Sequence, residues 1–326
     1  MKIVVTGGAG YIGSHAVYAL IEQGHDVVVV DNLVTGHQCD VHPDAKFYHG
    51  NVGDYRFMVD VFRLEKVEGV IHFAAYSLVG ESMKQPFKYY ENNVAATNVM
   101  LAAMVECGVK HLVFSSTAAT YGDVDVARIT ENIPTNPTNT YGQTKLAMEQ
   151  MIAWHSKAHD MTYVALRYFN VAGAHPSGAI YEKHNPETHL IPIILEVAAG
   201  VRDQIHIFGH DYPTKDGTCI RDYIHVMDLA QAHIKAMQYL IAGGVNETCN
   251  LGNGEGFSVR EVIEAARAVT GHGILELMSN RRQGDPAKLI ASSDRAKEVL
   301  GWEPKHPNIN EMIESAWKAT YSDRNE

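Results

Sequence analysis

The chain has 326 residues, of which 46% are hydrophobic and 20% are charged, a composition typical of a globular protein. Its formal net charge of −11 at pH 7 argues against nucleic acid or an anionic membrane as partner, because both are also negatively charged. The four cysteines are far apart, which argues against a disulfide framework or a zinc ribbon. With no recognisable signal peptide or membrane-spanning run, we expect a cytoplasmic protein.

Short β-branched runs alternate with helical patterns through the first half of the chain. This alternation predicts βαβ units, and therefore a parallel sheet covered by helices on both faces. The predicted strands are 2–5, 27–31, 46–49, 70–73, 112–116 and 163–168, and the predicted helices are 12–22, 55–66, 93–107 and 144–157.

The pattern changes after about Phe169, where Gly, Pro, His and Asn become dense and predict a long functional loop over 173–192. Helices are predicted beyond it at 193–199, 228–241, 259–270, 295–300 and 309–321, and strands at 205–208, 249–251 and 274–277. We predict an α/β protein with a doubly wound parallel sheet in 1–170 and a smaller C-terminal α/β substrate-binding domain in 171–326. Within the second part, a segment of about 220–245 is expected to return to the first.

A glycine-rich turn follows the first predicted strand directly and opens a helix. Gly7, Gly10 and Gly13 fit the pattern GxxGxxG, and Gly8 with the last two fits GxGxxG. Such glycines let the backbone turn tightly, so that a pyrophosphate can rest on the helix N-terminus. The second strand ends in Asp31, whose carboxylate would accept hydrogen bonds from ribose hydroxyls and repel a 2′-phosphate. The glycine turn and this aspartate together predict a Rossmann-type domain that binds NAD. The alternative is that the aspartate only caps a loop.

Tyr141 and Lys145 lie four residues apart at the start of a predicted helix and therefore share one face. A phenol titrates near about pH 10, and an ammonium group one turn away, aided by a nicotinamide cation, would lower that pKa. Hydroxyl side chains at 115–117 end a strand at the carboxyl edge of the sheet, where ligands bind in this fold class. In a chain that carries a dinucleotide turn, this pair predicts a proton-transfer catalyst.

Along nearly its whole length the sequence resembles the UDP-glucose 4-epimerases, within the extended short-chain dehydrogenase/reductase superfamily. Matching stretches in the first half, which many sugar-nucleotide enzymes share, are 4–15, 71–75, 79–82 and 141–145. The more discriminating stretches are 166–170, 173–178, 211–218, 221–226 and 281–285.

The resemblance implies that the chain interconverts UDP-galactose and UDP-glucose, a step of galactose metabolism, through a transient 4-keto sugar and a tightly bound NAD. Tyr141 would act as the base at the C4 hydroxyl, and Thr117 would hydrogen-bond the reacting oxygen. Lys145 would hold the nicotinamide ribose and lower the phenol pKa. The resemblance also implies a homodimer paired through 93–107 and 144–157, although their apolar faces could equally fill the chain's own core.

The resemblance assigns cofactor and substrate contacts residue by residue. The implied cofactor contacts are Gly7, Gly10, Tyr11, Ile12, Gly13, Asp31, Asn32, Asn51, Val52, Phe73, Ala74, Ala75, Asn92, Ser115, Tyr141, Lys145 and Tyr168. The implied substrate contacts are Ser77, Thr117, Tyr141, Asn170, His189, Leu190, Phe208, Arg221, Tyr223, Arg282 and Asp285. The arginines suit a diphosphate, which needs several cationic donors.

Four positions depart from the family pattern. Asn51 replaces an Asp that commonly contacts adenine, and Ser77 stands where many members have a Lys. His189 takes the place of a frequent Asn, and Leu289 is smaller than the aromatic residue of some members. The sugar specificity is therefore open at the last of these positions.

Rival activities leave different signatures. A 4,6-dehydratase needs an Asp-Glu pair directly after the strand-end threonine, and this chain has Ala118 and Ala119, which cannot transfer protons. Activity as a UDP-N-acetylglucosamine 4-epimerase or as a UDP-glucuronate epimerase or decarboxylase stays open. A non-catalytic NAD sensor is disfavoured because the Tyr/Lys pair is present. His206 and His210 lie in a strand-like stretch without a carboxylate-rich partner motif, so no metal site is predicted.

Overall fold

The computed structural model describes residues 1–281 and 286–321. The strands are β1 (Lys2–Thr6), β2 (Asp26–Asp31), β3 (Lys46–His49), β4 (Gly69–His72), β5 (His111–Thr117), β6 (Thr162–Tyr168), β7 (Asn170–Ala172), β8 (Ile205–Phe208), β9 (Ile220–His225), β10 (Glu247–Leu251), β11 (Gly256–Ser258), β12 (Glu276–Ser279) and β13 (Lys288–Leu289). The helices are α1 (Tyr11–Glu22), α2 (Tyr55–Glu65), α3 (Val79–Lys84), α4 (Pro86–Tyr89), α5 (Ala96–Cys107), α6 (Thr140–His159), α7 (Leu190–Ala198), α8 (Val226–Ile241), α9 (Val259–Thr270), α10 (Asp294–Leu300) and α11 (Ile309–Tyr321).

Seven parallel strands form the main sheet in the order β10-β6-β5-β4-β1-β2-β3. Strands such as β2 are nearly continuous apolar runs because both faces of the sheet are buried. One core cluster packs α1 and α8 on one face, and a second packs α2, α5 and α6 on the other. The strand order reverses between β1 and β4, so the predicted Rossmann-type doubly wound sheet is confirmed.

A smaller α/β layer lies beside this sheet. In it β9 pairs with β11, β13 and β7, while β8 pairs with β12. Helices α7, α9 and α11 bury a third apolar cluster against these strands. The later part of the chain also returns β10 to the main sheet, beside β6. The division at residues 170 and 171 stays a prediction. Within the described ranges, no helix is both long and apolar enough to cross a membrane.

The strand β9 lacks the alternation or apolar run that identifies a strand in sequence, because it carries Arg221 and Asp222 in its middle. The Asp222 carboxylate is buried and accepts backbone N–H groups of Asn253 at 2.8 Å, and of Gly254 and Ala291 at 3.0 Å. Burial raises the pKa of this carboxyl group to about 6. Its three hydrogen bonds tie β9 to the segments that follow β10 and β13.

Candidate active site

A cleft of about 890 Å³ opens at the carboxyl ends of the parallel strands, where β1, β2, β4, β5 and β6 end. This volume lies near the upper end of the range of about 300–1,000 Å³ typical of small-molecule sites. The strand order reverses at the same place, which is the usual ligand position in open α/β sheets. The fold therefore provides one large site where the chemistry-bearing segments meet.

Every predicted cofactor contact lines this cleft, and so do several predicted substrate contacts. The cofactor set comprises Gly7, Gly10, Tyr11, Ile12, Gly13, Asp31, Asn32, Asn51, Val52, Phe73, Ala74, Ala75, Asn92, Ser115, Tyr141, Lys145 and Tyr168. The substrate residues at the cleft are Ser77, Thr117, Tyr141, Asn170, His189 and Arg221. The fold therefore brings these predicted residues together at one cleft, and their contacts with cofactor and substrate stay predictions.

The glycine turn leaves no room for side chains. Gly7 has φ +73°, and a Cβ atom there would lie 2.6 Å from the Ala74 backbone nitrogen. A Cβ atom on Gly13 would lie 2.1 Å from the Gly7 carbonyl oxygen, so the helix packs directly on the turn. Gly10 caps α1 without a side-chain hydrogen bond, and the first N–H groups of the helix stay available for an anion. These features fit the pyrophosphate of a dinucleotide.

Asp31 caps the loop, and its contact with a ribose stays a prediction. Its carboxylate accepts the backbone N–H of Ala9 at 3.0 Å and that of Leu33 at 2.8 Å, and so holds the glycine turn against β2. The same residue lines the cleft. Because a carboxylate has about four acceptor positions, two remain for ribose hydroxyls.

Tyr141 stands on the floor of the cleft at the first turn of α6. Asn139 caps the start of the helix, and its side-chain oxygen accepts the Gly142 N–H at 2.8 Å. The Ser82 hydroxyl oxygen accepts the Tyr141 N–H at 3.1 Å, and the Thr117 side chain hydrogen-bonds the phenol. Backbone and side chain of this tyrosine are therefore both positioned before any substrate arrives.

The ammonium group of Lys145 is buried beside the same floor. It donates to the Ser115 carbonyl oxygen at 2.7 Å. Burial lowers the Lys145 pKa to about 7, although the charge of Glu149 opposes this shift. Burial also raises the Tyr141 pKa to about 12, against the hydrogen bond of its threonine neighbour. In the chain alone, desolvation therefore dominates the phenol pKa, and its lowering by this lysine together with a nicotinamide cation stays a prediction.

A buried ion pair lies behind this floor, between β6 and α6. Arg167 donates to Glu149 through two bonds, of 2.9 Å from Nε and 2.5 Å from Nη2. Its Nη1 donates to the Tyr121 hydroxyl oxygen at 3.0 Å, and Ser116 donates to the carboxylate. Burial alone would lower the arginine pKa, but the glutamate raises it above its ordinary value. The sequence did not identify this pair, because its members belong to elements whose packing no local pattern reveals.

The substrate side of the cleft is only partly as predicted. Asn170 donates to the Asp222 carbonyl oxygen at 2.9 Å, and Arg221 donates to the Ile220 and Pro286 carbonyl oxygens, each at 2.9 Å. Three predicted substrate contacts, Leu190, Phe208 and Tyr223, are not among the described residues that line the cleft, and they stay predictions. Arg282 and Asp285 lie outside the described residues.

Four side chains of the loop before α7 meet at the rim of the cleft, and we call them the loop cluster: Glu182, His184, Glu187 and His189. The Nδ1 atoms of His184 and His189 lie 3.0 Å and 2.8 Å from Glu182 Oε1. Burial lowers the His184 pKa, but the two glutamates outweigh it and raise the value to about 9. Only His189 was assigned from the sequence; the signal for the others was the spacing Glu-x-His-x-x-Glu-x-His.

Other lining residues also escaped prediction, among them Thr35, Gly50, Tyr76, Val79, Met83, Thr138 and Asn139. The first of these lies four residues after Asp31, and the last two lie three and two residues before Tyr141. Their nearness to predicted residues was the one available signal.

The comparisons with known proteins agree with this geometry. Residues 3–252 match the model of the NAD dependent epimerase/dehydratase family. The chain belongs to this family. The predicted resemblance is thereby confirmed, and NAD is the cofactor that the family description names.

Individual relatives of this family extend the likeness over the full chain. A UDP-glucose 4-epimerase of Halalkalibacterium halodurans is 57% identical over 317 residues, which are 97% of this chain and 95% of the relative. A solved UDP-glucose 4-epimerase superimposes with a TM-score of 0.97 at 55% identity, covering 100% of this chain and 99% of that one. The enzyme of Stenotrophomonas maltophila, solved with NAD and formylated UDP-arabinopyranose, has a TM-score of 0.96 at 39% identity and covers 100% of both chains.

Proposed function

We propose that the chain is an NAD-dependent UDP-glucose 4-epimerase that interconverts UDP-galactose and UDP-glucose. The decisive observation is that Thr117, Tyr141 and Lys145 stand on the floor of the same cleft that holds the dinucleotide turn. The family match and the names of the full-length relatives support this assignment. A UDP-sugar is therefore the substrate class, and NAD is the resident cofactor.

The chain's own residues supply proton transfer at the C4 hydroxyl of the sugar. Tyr141 accepts that proton when its phenol is ionised, and Thr117 hydrogen-bonds the oxygen that develops charge. NAD, when bound, supplies the acceptor for the C4 hydride and returns it to the other face of the keto sugar. Because burial disfavours the phenolate, a positive charge at Lys145 and the threonine hydrogen bond must together offset that cost. Inversion without net oxidation follows from this arrangement.

Dehydration has no proton carrier at the expected place. Ala118 and Ala119 line the cleft directly beside Thr117, where a 4,6-dehydratase has its acid and base. An alanine neither donates nor accepts a proton. Leu289 also lines the cleft, and because leucine is smaller than the aromatic residue of some members, the N-acetylated alternative stays open.

A direct assay tests the proposed function. Purified protein is incubated with UDP-galactose without added NAD, and the nucleotide sugars are separated by anion-exchange chromatography. We expect UDP-glucose to form until the two sugars reach equilibrium. No conversion by protein with demonstrated bound NAD contradicts the proposal. UDP-N-acetylgalactosamine and UDP-glucuronate in parallel reactions define the substrate range, and product from the latter alone favours the uronate alternative.

The proposed assembly is a homodimer paired through 93–107 and 144–157, the segments that contain α5 and most of α6. Trp154 on α6 is 68% exposed, Phe87 on α4 is 78% exposed and Met83 on α3 is 59% exposed. Large exposed apolar side chains are frequent at interaction surfaces, and Trp154 lies within 144–157. Light scattering should give a molar mass of twice the chain mass for the wild type. The Trp154→Glu variant should give the mass of a single chain. A monomeric wild type contradicts the dimer.

The proposed location is the cytoplasm. Cys39, Cys107 and Cys249 are free thiols, as in proteins of reducing compartments. Fractionation of the producing cell should place the activity with cytoplasmic markers, and activity in the secreted fraction contradicts this proposal.

A further inference from the structure

The loop cluster gathers two imidazoles and two carboxylates within a very small volume. One ligand atom from each side chain lies within 4.8 Å of the others. His189 Nδ1 lies 2.8 Å from Glu182 Oε1 and 3.2 Å from Glu187 Oε1, and His184 Nδ1 lies 3.8 Å from Glu187 Oε2. Four ligand atoms around a tetrahedral zinc ion are about 3.3 Å apart, given metal–ligand bonds of about 2.0–2.2 Å. Small side-chain rotations therefore suffice to enclose an ion.

Hydrogen bonding among these side chains does not account for the whole arrangement. His184 Nδ1 is buried and makes no hydrogen bond of acceptable geometry, although a glutamate oxygen lies 3.0 Å away. A buried ring nitrogen that lies at ion-pair distance from two carboxylates, but outside hydrogen-bond geometry, is placed as a metal ligand would be. Both imidazoles present the same ring atom, Nδ1, to the same carboxylate oxygen.

The two carboxylates also require positive charge beside them. Glu182 and Glu187 are 9% and 7% exposed at their side chains, and buried carboxylates are costly unless compensated. One divalent cation with two neutral imidazoles satisfies the same charge balance as two protonated imidazoles. Two nitrogen and two oxygen ligands suit zinc-class ions, whereas magnesium and calcium prefer oxygen alone.

The loop cluster lies where an ion would fix the wall of the cleft. The His184 ring contacts the Tyr11 ring edge-to-face, with centroids 6.4 Å apart, and Tyr11 donates to the Gly173 carbonyl oxygen at 2.6 Å. Lys183, inside the loop, forms an ion pair of 2.5 Å with Asp40 of the dinucleotide-binding half. The loop thus already contacts the first half of the molecule at two points.

We propose that Glu182, His184, Glu187 and His189 form a binding site for one zinc-class divalent cation, which clasps this loop against the cofactor cleft. This departs from the sequence prediction of no metal, which considered other histidines. The site stands on geometry that does not depend on the proposed epimerase activity. Its role is structural: the ion would hold the wall of the cleft, which Glu182, His184 and His189 line, and would take no part in proton transfer.

Metal retention tests the site without an activity assay. The holoenzyme is treated with a chelator, reloaded with zinc or cobalt(II), freed of excess ion and analysed by mass spectrometry for metal content. We expect about one ion per chain in the wild type. The cobalt form should show the strong visible bands of a tetrahedral site. Retention no higher than that of a chelator-treated blank overturns the proposal.

Variants distinguish this site from adventitious histidine binding. His184→Ala and Glu187→Gln should each lower retention at least tenfold and abolish the cobalt bands. His206→Ala changes an exposed histidine that hydrogen-bonds Ser279 on β12, and it should retain the ion like the wild type. Bound NAD, measured after denaturation, shows that each variant is folded. Equal retention in the wild type and in a folded His184→Ala variant overturns the proposal.

Discussion

Two buried cations, one on α6 and one on β6, have opposite electrostatic surroundings. Lys145 is 3% exposed and faces a carbonyl oxygen, and its pKa is lowered to about 7. Arg167 is 8% exposed and binds Glu149 through two hydrogen bonds, and its pKa is raised. The first cation is left poorly compensated in the cleft, and the second is fully paired in the core.

The difference shows how this fold separates function from stability. A paired buried charge contributes little beyond specificity, but it is expensive to break. A poorly compensated charge costs stability in the free chain and is retained where a reaction uses it. Variants on the catalytic floor should therefore lose activity without losing stability, whereas variants of the buried pair behind it should lose stability first.

Tyr141→Phe should give the largest effect on turnover. Removal of the phenolic oxygen removes the proton acceptor, so kcat for UDP-galactose should fall by about 10²–10⁴-fold. NAD content after denaturation and the unfolding midpoint should stay near those of the wild type. Tyr55→Phe on α2, at a side chain 40% exposed, is the control and should keep full activity. Unchanged turnover in the Tyr141 variant excludes it as the base.

Glu149→Gln should give the largest effect on stability. It leaves the Arg167 guanidinium buried without its carboxylate, at a cost of about 3–5 kcal/mol in the free energy of unfolding. Equilibrium unfolding in urea measures this loss. Glu106→Gln breaks an exposed pair with Arg63 and should cost about 1 kcal/mol or less. Equal losses in the two variants would mean that burial does not make this ion pair more costly to break than an exposed one.

Lys145→Met should abolish turnover and change the pH dependence of stability. Between about pH 7, the folded-state pKa, and the ordinary value of 10.5, the unfolded chain holds a proton at this lysine that the folded chain has lost. Wild-type stability therefore gains up to about 1.4 kcal/mol per pH unit as pH rises through this window. The methionine variant should lack that gain. Its free energy of unfolding should therefore exceed that of the wild type by the largest margin below pH 7.

Unfolding curves at several pH values, with matched NAD content, measure this difference. Lys84→Met, at an exposed position on α3, is the control and should run parallel to the wild type at every pH. Parallel curves for Lys145→Met as well would show that the buried lysine keeps its ordinary pKa.

The sequence predicted local features well and long-range pairing poorly. The strands of the main sheet were predicted because apolar runs such as Val27–Val30 are buried on both faces. The pair Tyr141 and Lys145 was predicted because both lie on one helical turn. The strand β9 was missed because its Asp222 is stabilised by backbone groups from distant segments, which no window of sequence contains.

The candidate site divides in the same way. The cofactor contacts follow strand ends, and the sheet brings strand ends together at one edge, so their meeting was predictable. The buried pair Arg167 and Glu149 depends on how α6 packs on β6, and the loop cluster depends on the path of an irregular loop. Packing and loop conformation are decided by the whole chain rather than by local pattern.

Asp31→Asn should give the smallest effect and separates two roles of one residue. This carboxylate is buried, no cation of the described residues forms an ion pair with it, and two backbone N–H groups hold it. The amide keeps one acceptor oxygen and turns an NH₂ group toward a backbone donor, so NAD affinity should fall about tenfold or more, as hydrogen bonds to charged groups contribute about 1.5–3 kcal/mol. Calorimetric titration of the NAD-stripped protein with NAD and NADP measures both affinities.

If the carboxylate contacts the ribose, the affinity for NADP should fall less than that for NAD, because the repulsion of the 2′-phosphate is lost. If it only holds the turn, both cofactors should weaken equally, while Asp26→Asn at the exposed start of β2 should change neither.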